Sequence, residues 1–147
     1  MYPVGAPLHI FFSEFVDSKD SGPVILSHFY LLTGCAGGVW LEGRSINRYT
    51  GVLVLGIGDA LASISGKLWG RIHWPGSSKT IEGTVVFTIS IILSAWILRM
   101  LGLVEPFSFW KYSIATGLSA LMEAVSRQND NLIIPIYMSS LVSLLDC

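Results

Sequence analysis

Charge is scarce in this chain: Asp, Glu, Lys and Arg together make up 13% of its 147 residues, while 52% are hydrophobic. So few charges cannot coat a water-facing surface around that much apolar material, whereas lipid can cover the apolar faces directly. The formal net charge of -1 excludes nucleic-acid binding as the main activity. Cysteine is also rare. Cys35 falls in an apolar run and Cys147 is the last residue, so neither a disulfide framework nor a cysteine metal site is expected. No basic leader precedes the apolar stretch of the N-terminus, and a secretory signal peptide is not expected there. Internal repeats and low-complexity linkers are lacking as well.

What the sequence does contain is a series of long apolar runs. A spanning helix needs roughly 20 mostly apolar residues, with a lower limit of about 17. Five segments are candidates: Pro23 to Leu41, Tyr49 to Ser65, Thr84 to Val104, Phe109 to Val125, and Leu132 to Leu145. The last is short and carries Pro135. The expected fold is therefore a single all-α membrane domain, a polytopic bundle of about five spans with a polar loop. The polar segments alternate between the two sides. Counting crossings puts Glu14 to Asp20, Lys67 to Gly83, and Ser126 to Asn131 on one side. That side collects most of the polar chemistry. Its basic residues, Lys19, Lys67, Arg71, Lys79 and Arg127, face Arg44, Arg48 and nearby Lys111 on the other, and the bias favours a cytoplasmic active face.

Two carboxylates fall within the apolar runs. Asp59 lies at membrane depth, where a charge costs several kcal/mol (about 3 on insertion scales) unless it faces a polar cavity or a partner. Beside it Gly58, Ala62, Gly66 and Gly70 recur at steps of four, a small-residue ridge against which another helix can pack closely. A packing ridge with one polar neighbour explains the glycines; a site explains the aspartate. Glu123 shares a helical face with Ser126 and Asp130 and can pair with Arg127 one turn on. Asn129, Asp130 and Asn131 suit a helix N-cap. Arg99 is expected to reach the far interface. His28 reads better as a packed residue than as a ligand, and His73 alone is weak.

The segment GKLWGRIHWPGSSKTIEGT combines glycines, a Pro-Gly turn, hydroxyls and bases. Glycine backbone allows close approach of N–H groups to an anion, Lys79 and Arg71 can neutralise phosphate oxygens, and hydroxyl or carboxylate groups can help to hold Mg²⁺. The P-loop spacing G-x-x-x-x-G-K-[ST] is absent, which rules out that fold. A basic loop contacting anionic lipid would have the same composition.

The order of these pieces is informative. Asp59-x-x-Ala62-x-x-x-Gly66-x-x-x-Gly70 followed by Lys79-Thr80-x-Glu82-Gly83 resembles the CTP-binding signature of the dolichol kinase family. Asp17-Ser-Lys-Asp20-Ser-Gly22-Pro23, Trp74-Pro75-Gly76, and Glu123-Ala124 with Gln128-x-Asp130-Asn131-Leu132 and Pro135 resemble the flanking blocks, over almost the whole chain. Ser78 departs from the pattern, standing where the family commonly has a second lysine. Family members are several times longer, so the chain looks like their C-terminal, CTP-binding portion.

The resemblance implies transfer of the CTP γ-phosphoryl group to dolichol, giving dolichyl phosphate for protein glycosylation at the endoplasmic reticulum membrane. Nucleotide contacts are then expected over Lys67, Gly70, Arg71, Trp74, Pro75, Gly76, Ser77, Ser78, Lys79, Thr80, Glu82 and Gly83. Asp59, Glu82 and Asp130 become candidate Mg²⁺ ligands, and Asp59 or Glu123 a candidate proton acceptor, with Lys79 completing the catalytic set. Asp17, Asp20, Gln128 and Asn131 would share the polar face. A phytol or farnesol kinase, a cytidylyltransferase and an inactive truncated membrane protein are the alternatives.

Overall fold

The computed structural model describes residues 26–40, 45–126 and 130–145. Among these the fold is all-α, with one isolated antiparallel bridge between His73 and Thr80. Helix α1 covers Leu26–Gly37 and tightens into a 3₁₀ turn, Gly38–Trp40. A second 3₁₀ turn, Ile46–Tyr49, leads into α2, which runs from Val52 to Trp69. Helices α3 (Ile81–Met100), α4 (Phe109–Val125) and α5 (Asp130–Leu144) complete the bundle. Two of these, α2 and α3, are each long and apolar enough to cross a membrane.

The five rods fall on the five apolar segments, and the shifts at their ends have local causes. Helix α3 starts three residues earlier than hydropathy suggests, because Thr80 caps it: Thr80 Oγ1 accepts from the Gly83 N–H at 3.2 Å. It ends before Val104, because Gly102 takes φ +67°. The N–H groups of Gly102 and Leu103 return to the carbonyls of Arg99 and Leu98 in a Schellman closure. Arg99, expected to reach the far interface, has partners within the protein. It donates to the Phe107 carbonyl at 3.1 Å and lies over the Phe109 ring, which ties the connecting loop to the end of α3. Helix α2 continues to Trp69, beyond Ser65, and ends where Gly70 turns to extended backbone.

The rods close into a ring in which α2 packs on α3, α3 on α4, α4 on α5, and α5 on α1. Helix α1 returns to the first half of α2, which is π-wound over Val52–Asp59. Small residues set these approaches. A side chain at Gly51 would collide with the Gly34 carbonyl, and one at Gly34 with the Asn131 carbonyl. Pro135 has no N–H, so it cannot take that Asn131 carbonyl as an intrahelical partner four residues back. The contact also places the start of α5 beside Leu55, one helical turn from Asp59. The interior is filled by Phe87, Ile91, Tyr112, Ile134 and Met138, all with 2% exposure or less.

Large apolar residues on the outside remain bare, among them Trp40, Trp69, Met100, Trp110 and Leu144. That is the reverse of a water-facing surface and suits lipid. Among the described elements, the second half of α2 packs chiefly on α3. Among the described residues, the bundle is thus more closely packed along the first half of α2 than along the second.

Candidate functional site

Beside the second half of α2 lies a cavity of about 450 Å³. Helix α2 contributes Asp59, Ala62, Ser63, Gly66 and Lys67 to its wall, and α3 contributes Gly83 and Thr84. The loop between them adds His73, Ser78, Lys79 and Thr80, and α4 adds Glu123. Residues 64 positions apart therefore meet: Asp59 at the end of the π-wound stretch and Glu123 near the end of α4.

The small-residue ridge explains how the wall is built. Ideal Cβ atoms at Gly58 and Gly66 would stand 2.7 Å from the Ile91 side chain and 2.9 Å from Thr80 Oγ1. One at Gly83 would stand 3.0 Å from the Ala62 carbonyl. These approaches are too close for larger side chains, so α2 and α3 touch along the ridge. The ridge packs the helices, with Ala62 and Gly66 bringing them together, and Asp59, Ser63 and Lys67, at steps of four, line the cavity beside it.

The loop from Gly70 to Thr80 is a short hairpin rather than an open phosphate cradle. Trp74-Pro75-Gly76-Ser77 forms a turn closed by the Ser77 N–H on the Trp74 carbonyl at 3.1 Å, with Gly76 at φ +73°. Proline at the second position and a positive-φ glycine at the third define type II geometry. The Trp74 N–H donates to the Lys79 carbonyl at 3.0 Å and the Ile81 N–H to the Ile72 carbonyl at 2.9 Å. Ser77 Oγ accepts from the Lys79 N–H, and the Trp74 indole N–H donates to Thr84 Oγ1 at 3.0 Å. The hairpin is thereby anchored to α3 at both ends.

These bonds change the expected donor set. The glycine amides of Gly70 and Gly83 are engaged inside the protein, on the Gly66 carbonyl and Thr80 Oγ1. The polar residues that line the cavity include Lys67, His73, Ser78 and Lys79. Lys79 Nζ lies 2.6 Å from Glu123 Oε1, with 25% of the lysine side chain and 5% of the glutamate side chain exposed. A charge-assisted contact of this length, on so buried a carboxylate, is a specific pairing rather than a surface encounter.

Of the residues picked out from sequence, Asp59, Lys67, Ser78, Lys79, Thr80, Gly83 and Glu123 meet at the cavity. Gly70, Arg71, Trp74, Pro75, Gly76 and Ser77 shape the hairpin without lining it. Glu82 also stands away from the cavity wall, with its carboxylate on the backbone N–H groups of Arg71 and Ile72. Asn131 is half-buried at the α1–α5 contact. Asp17, Asp20 and Gln128, and the side chain of Asp130, lie outside the described residues. Sequence reasoning missed Ser63, Thr84 and the cavity position of His73. Ser63 had a signal, because it stands midway between Asp59 and Lys67 on one helical face.

Mg²⁺ takes oxygen ligands and is usually held by one or two carboxylates together with substrate phosphates. Asp59 and Glu123, with the hydroxyls of Ser63, Ser78, Thr80 and Thr84 around them, are donors of that kind. Among the described residues no cluster of three or more His, Cys, Asp or Glu side chains forms a closed metal site. The donor set suits a metal that arrives with a phosphate.

Fold and site together define a helical membrane protein with a mixed-charge cavity at one end of its bundle. By sequence the chain is a homologue of dolichol kinases. It is 40% identical to the dolichol kinase of Schizosaccharomyces pombe over 98% of its length, 37% to that of Homo sapiens over 92%, and 36% to that of Arabidopsis thaliana over 97%. The matches cover 30%, 28% and 26% of those proteins, their C-terminal portion, so the chain spans under a third of its relatives' length. A phytol kinase of Synechocystis is 31% identical over 68% of the chain and 45% of that protein. No family model and no solved structure matches.

Proposed function

We propose that the cavity receives the triphosphate of CTP and that this chain forms the nucleotide-binding part of a CTP-dependent dolichol kinase. The single observation that carries the reading is the meeting of Asp59, Lys67, Lys79 and Glu123 in one cavity, in a chain homologous to dolichol kinases. Phosphoryl transfer needs positioning and charge neutralisation more than covalent chemistry from the protein. Lys79 and Lys67 neutralise phosphate oxygens, and Ser78 adds a hydroxyl donor. Asp59 and Glu123 are the groups available to hold Mg²⁺, which would neutralise charge on the phosphates. The acceptor hydroxyl oxygen attacks the γ-phosphorus, the bond to the β–γ bridging oxygen breaks, and CDP leaves. The hydroxyl proton passes to Asp59 or Glu123.

A polar cavity in a bundle whose outer faces are apolar suits a lipid alcohol, whose tail stays in the membrane while its hydroxyl reaches the nucleotide. The bias of basic residues favours the cytoplasmic face. An endoplasmic reticulum location and a supply of dolichyl phosphate for glycosylation follow from the same reading. The phytol kinase likeness supports a second acceptor, a shorter isoprenoid alcohol. Incubating the membrane-reconstituted chain with γ-labelled CTP and dolichol, phytol or phosphatidate tests both. Label in dolichol, lost on Lys79→Ala, is the expected result. Label in phytol alone assigns the second acceptor, and no CTP binding in the presence of Mg²⁺ refutes the reading.

A further inference from the structure

We propose that Glu82 is a positioning residue that fastens the cavity-forming hairpin to α3, and that it does not ligate metal. Its Oε1 accepts from the Arg71 N–H at 3.1 Å and the Ile72 N–H at 3.3 Å, and Oε2 accepts from the Ile72 N–H at 3.4 Å. Both amides lie just beyond Gly70, where α2 ends and the helical hydrogen-bond ladder stops. Those N–H groups have no acceptor in the helical ladder, and at this exposed end a carboxylate in the first turn of α3 takes them in place of water. The same turn then takes the Ile72 carbonyl through the Ile81 N–H at 2.9 Å. Two residues of α3 thus hold both hydrogen-bonding edges of Ile72. The next residue, His73, lines the cavity and bridges to Thr80, the cap of α3. The clamp sets the register of one hairpin strand against the other, and with it the placement of Ser78 and Lys79.

Among the described residues the carboxylates that line the cavity are Asp59 and Glu123, and Glu82 is absent from its wall. A group that already holds two backbone donors outside the cavity is poorly placed to bind a metal carried in on a phosphate. Arg71 enters the site through its backbone: its N–H is half of the clamp.

The inference rests on the kinase reading only for its kinetic arm. Three variants of the full chain, Glu82→Gln, Glu82→Asp and Glu82→Ala, separate the roles. Glutamine keeps an acceptor at the same reach without the charge; aspartate keeps the charge but is one methylene short. Amide hydrogen exchange over residues 70–73 is expected to stay protected in E82Q. In E82D and E82A it is expected to rise by on the order of tenfold, as loss of a charged hydrogen bond implies. The KM for CTP should rise in the same two variants, with the Mg²⁺ concentration for half-maximal rate unchanged. Unchanged exchange in E82D and E82A would overturn the proposal. So would a shift in Mg²⁺ dependence in E82Q with exchange intact, which is the signature of a ligand. Should E82A fail to fold, E82D against E82Q carries the same contrast. If the wild-type chain neither binds nor uses CTP, the kinase reading falls, and the exchange pattern still decides the clamp.

Discussion

Lys79 and Glu123 form a pair whose two halves are unequally buried, and that inequality makes a quantitative prediction. Glu123→Gln leaves an ammonium with a quarter of its side chain in reach of water. The lysine stem can swing outward, and the cost should be about 1 kcal/mol, at the upper end for exposed pairs. Lys79→Met leaves a carboxylate whose side chain is only 5% exposed, in a cavity it shares with Asp59. Removing one partner of a buried pair costs about 3 kcal/mol or more, because the remaining charge has lost the ammonium 2.6 Å away. In the double variant K79M/E123Q the stranded charge is gone. It should recover about 2 kcal/mol relative to K79M, roughly a thirtyfold change in the folded-to-unfolded ratio. Equilibrium unfolding in mixed micelles, followed by far-ultraviolet circular dichroism, measures all four corners of the cycle. Equal losses in the two single variants, or strict additivity in the double, would refute the reasoning and leave the 2.6 Å contact without energetic weight.

The other predictions concern the walls. Gly66→Ala places a Cβ 2.9 Å from Thr80 Oγ1, pushing on a cap that cannot retreat, and should cost about 2 kcal/mol in the same unfolding assay. Gly117→Ala on α4 meets nothing within 4 Å and should be neutral or stabilising by up to about 1 kcal/mol. Thr80→Val keeps the shape but removes the acceptor for the Gly83 N–H. A loss of about 1 kcal/mol is expected, with faster exchange at the Gly83 amide. Trp74→Phe breaks the indole bond to Thr84 Oγ1 and should expose the hairpin to proteolysis between residues 70 and 80 while the helix content stays constant. An undisturbed cleavage pattern would mean that the indole bond does not anchor the hairpin.

The rods were legible because apolar runs of this length have few other uses, and the ridge because its period is that of a helix. Asp59 stood out for a related reason, as a charge at a depth where charges are costly. What stayed hidden depended on partners far away in the chain or on winding. The Lys79–Glu123 pair joins residues 44 positions apart, and nothing near either one marks the other. The hairpin contacts of Glu82 stayed hidden because its partners, ten and eleven residues back, become neighbours only after the turn at Trp74–Ser77 forms. The start of α3 was misjudged because hydropathy weighs Glu82 and Gly83 as polar, whereas the Thr80 cap makes them its first turn. The π-winding of Val52–Asp59 has no period a sequence can display, yet it ends on the residue that lines the cavity.

The balance of charge in the cavity bears on how a nucleotide can enter it. Among the described residues two lysines, Lys67 and Lys79, line it with two carboxylates, Asp59 and Glu123. The first-turn amides of α3 are turned inward, on Ile72 and Thr80, and leave little direct bonding for an anion. A triphosphate arriving bare meets a carboxylate wherever it meets a lysine, and it must draw Lys79 away from Glu123. At about 5 Å and an effective dielectric constant near 20, each like-charge encounter costs about 3 kcal/mol. A divalent cation arriving on the phosphates reverses that sign, because the carboxylates become attractive and Lys79 is free to move to a phosphate oxygen. CTP binding should therefore depend on the metal as well as on the lysine. With Mg²⁺ present, labelled CTP should bind to the reconstituted chain, and an excess of EDTA should weaken binding by tenfold or more, about 1.4 kcal/mol. In E123Q the dependence should shrink, since one of the two repelling groups has become neutral. Equal binding of CTP with and without metal, or an undiminished metal dependence in E123Q, would mean that the carboxylates do not face the phosphates, and the site would have to be turned around.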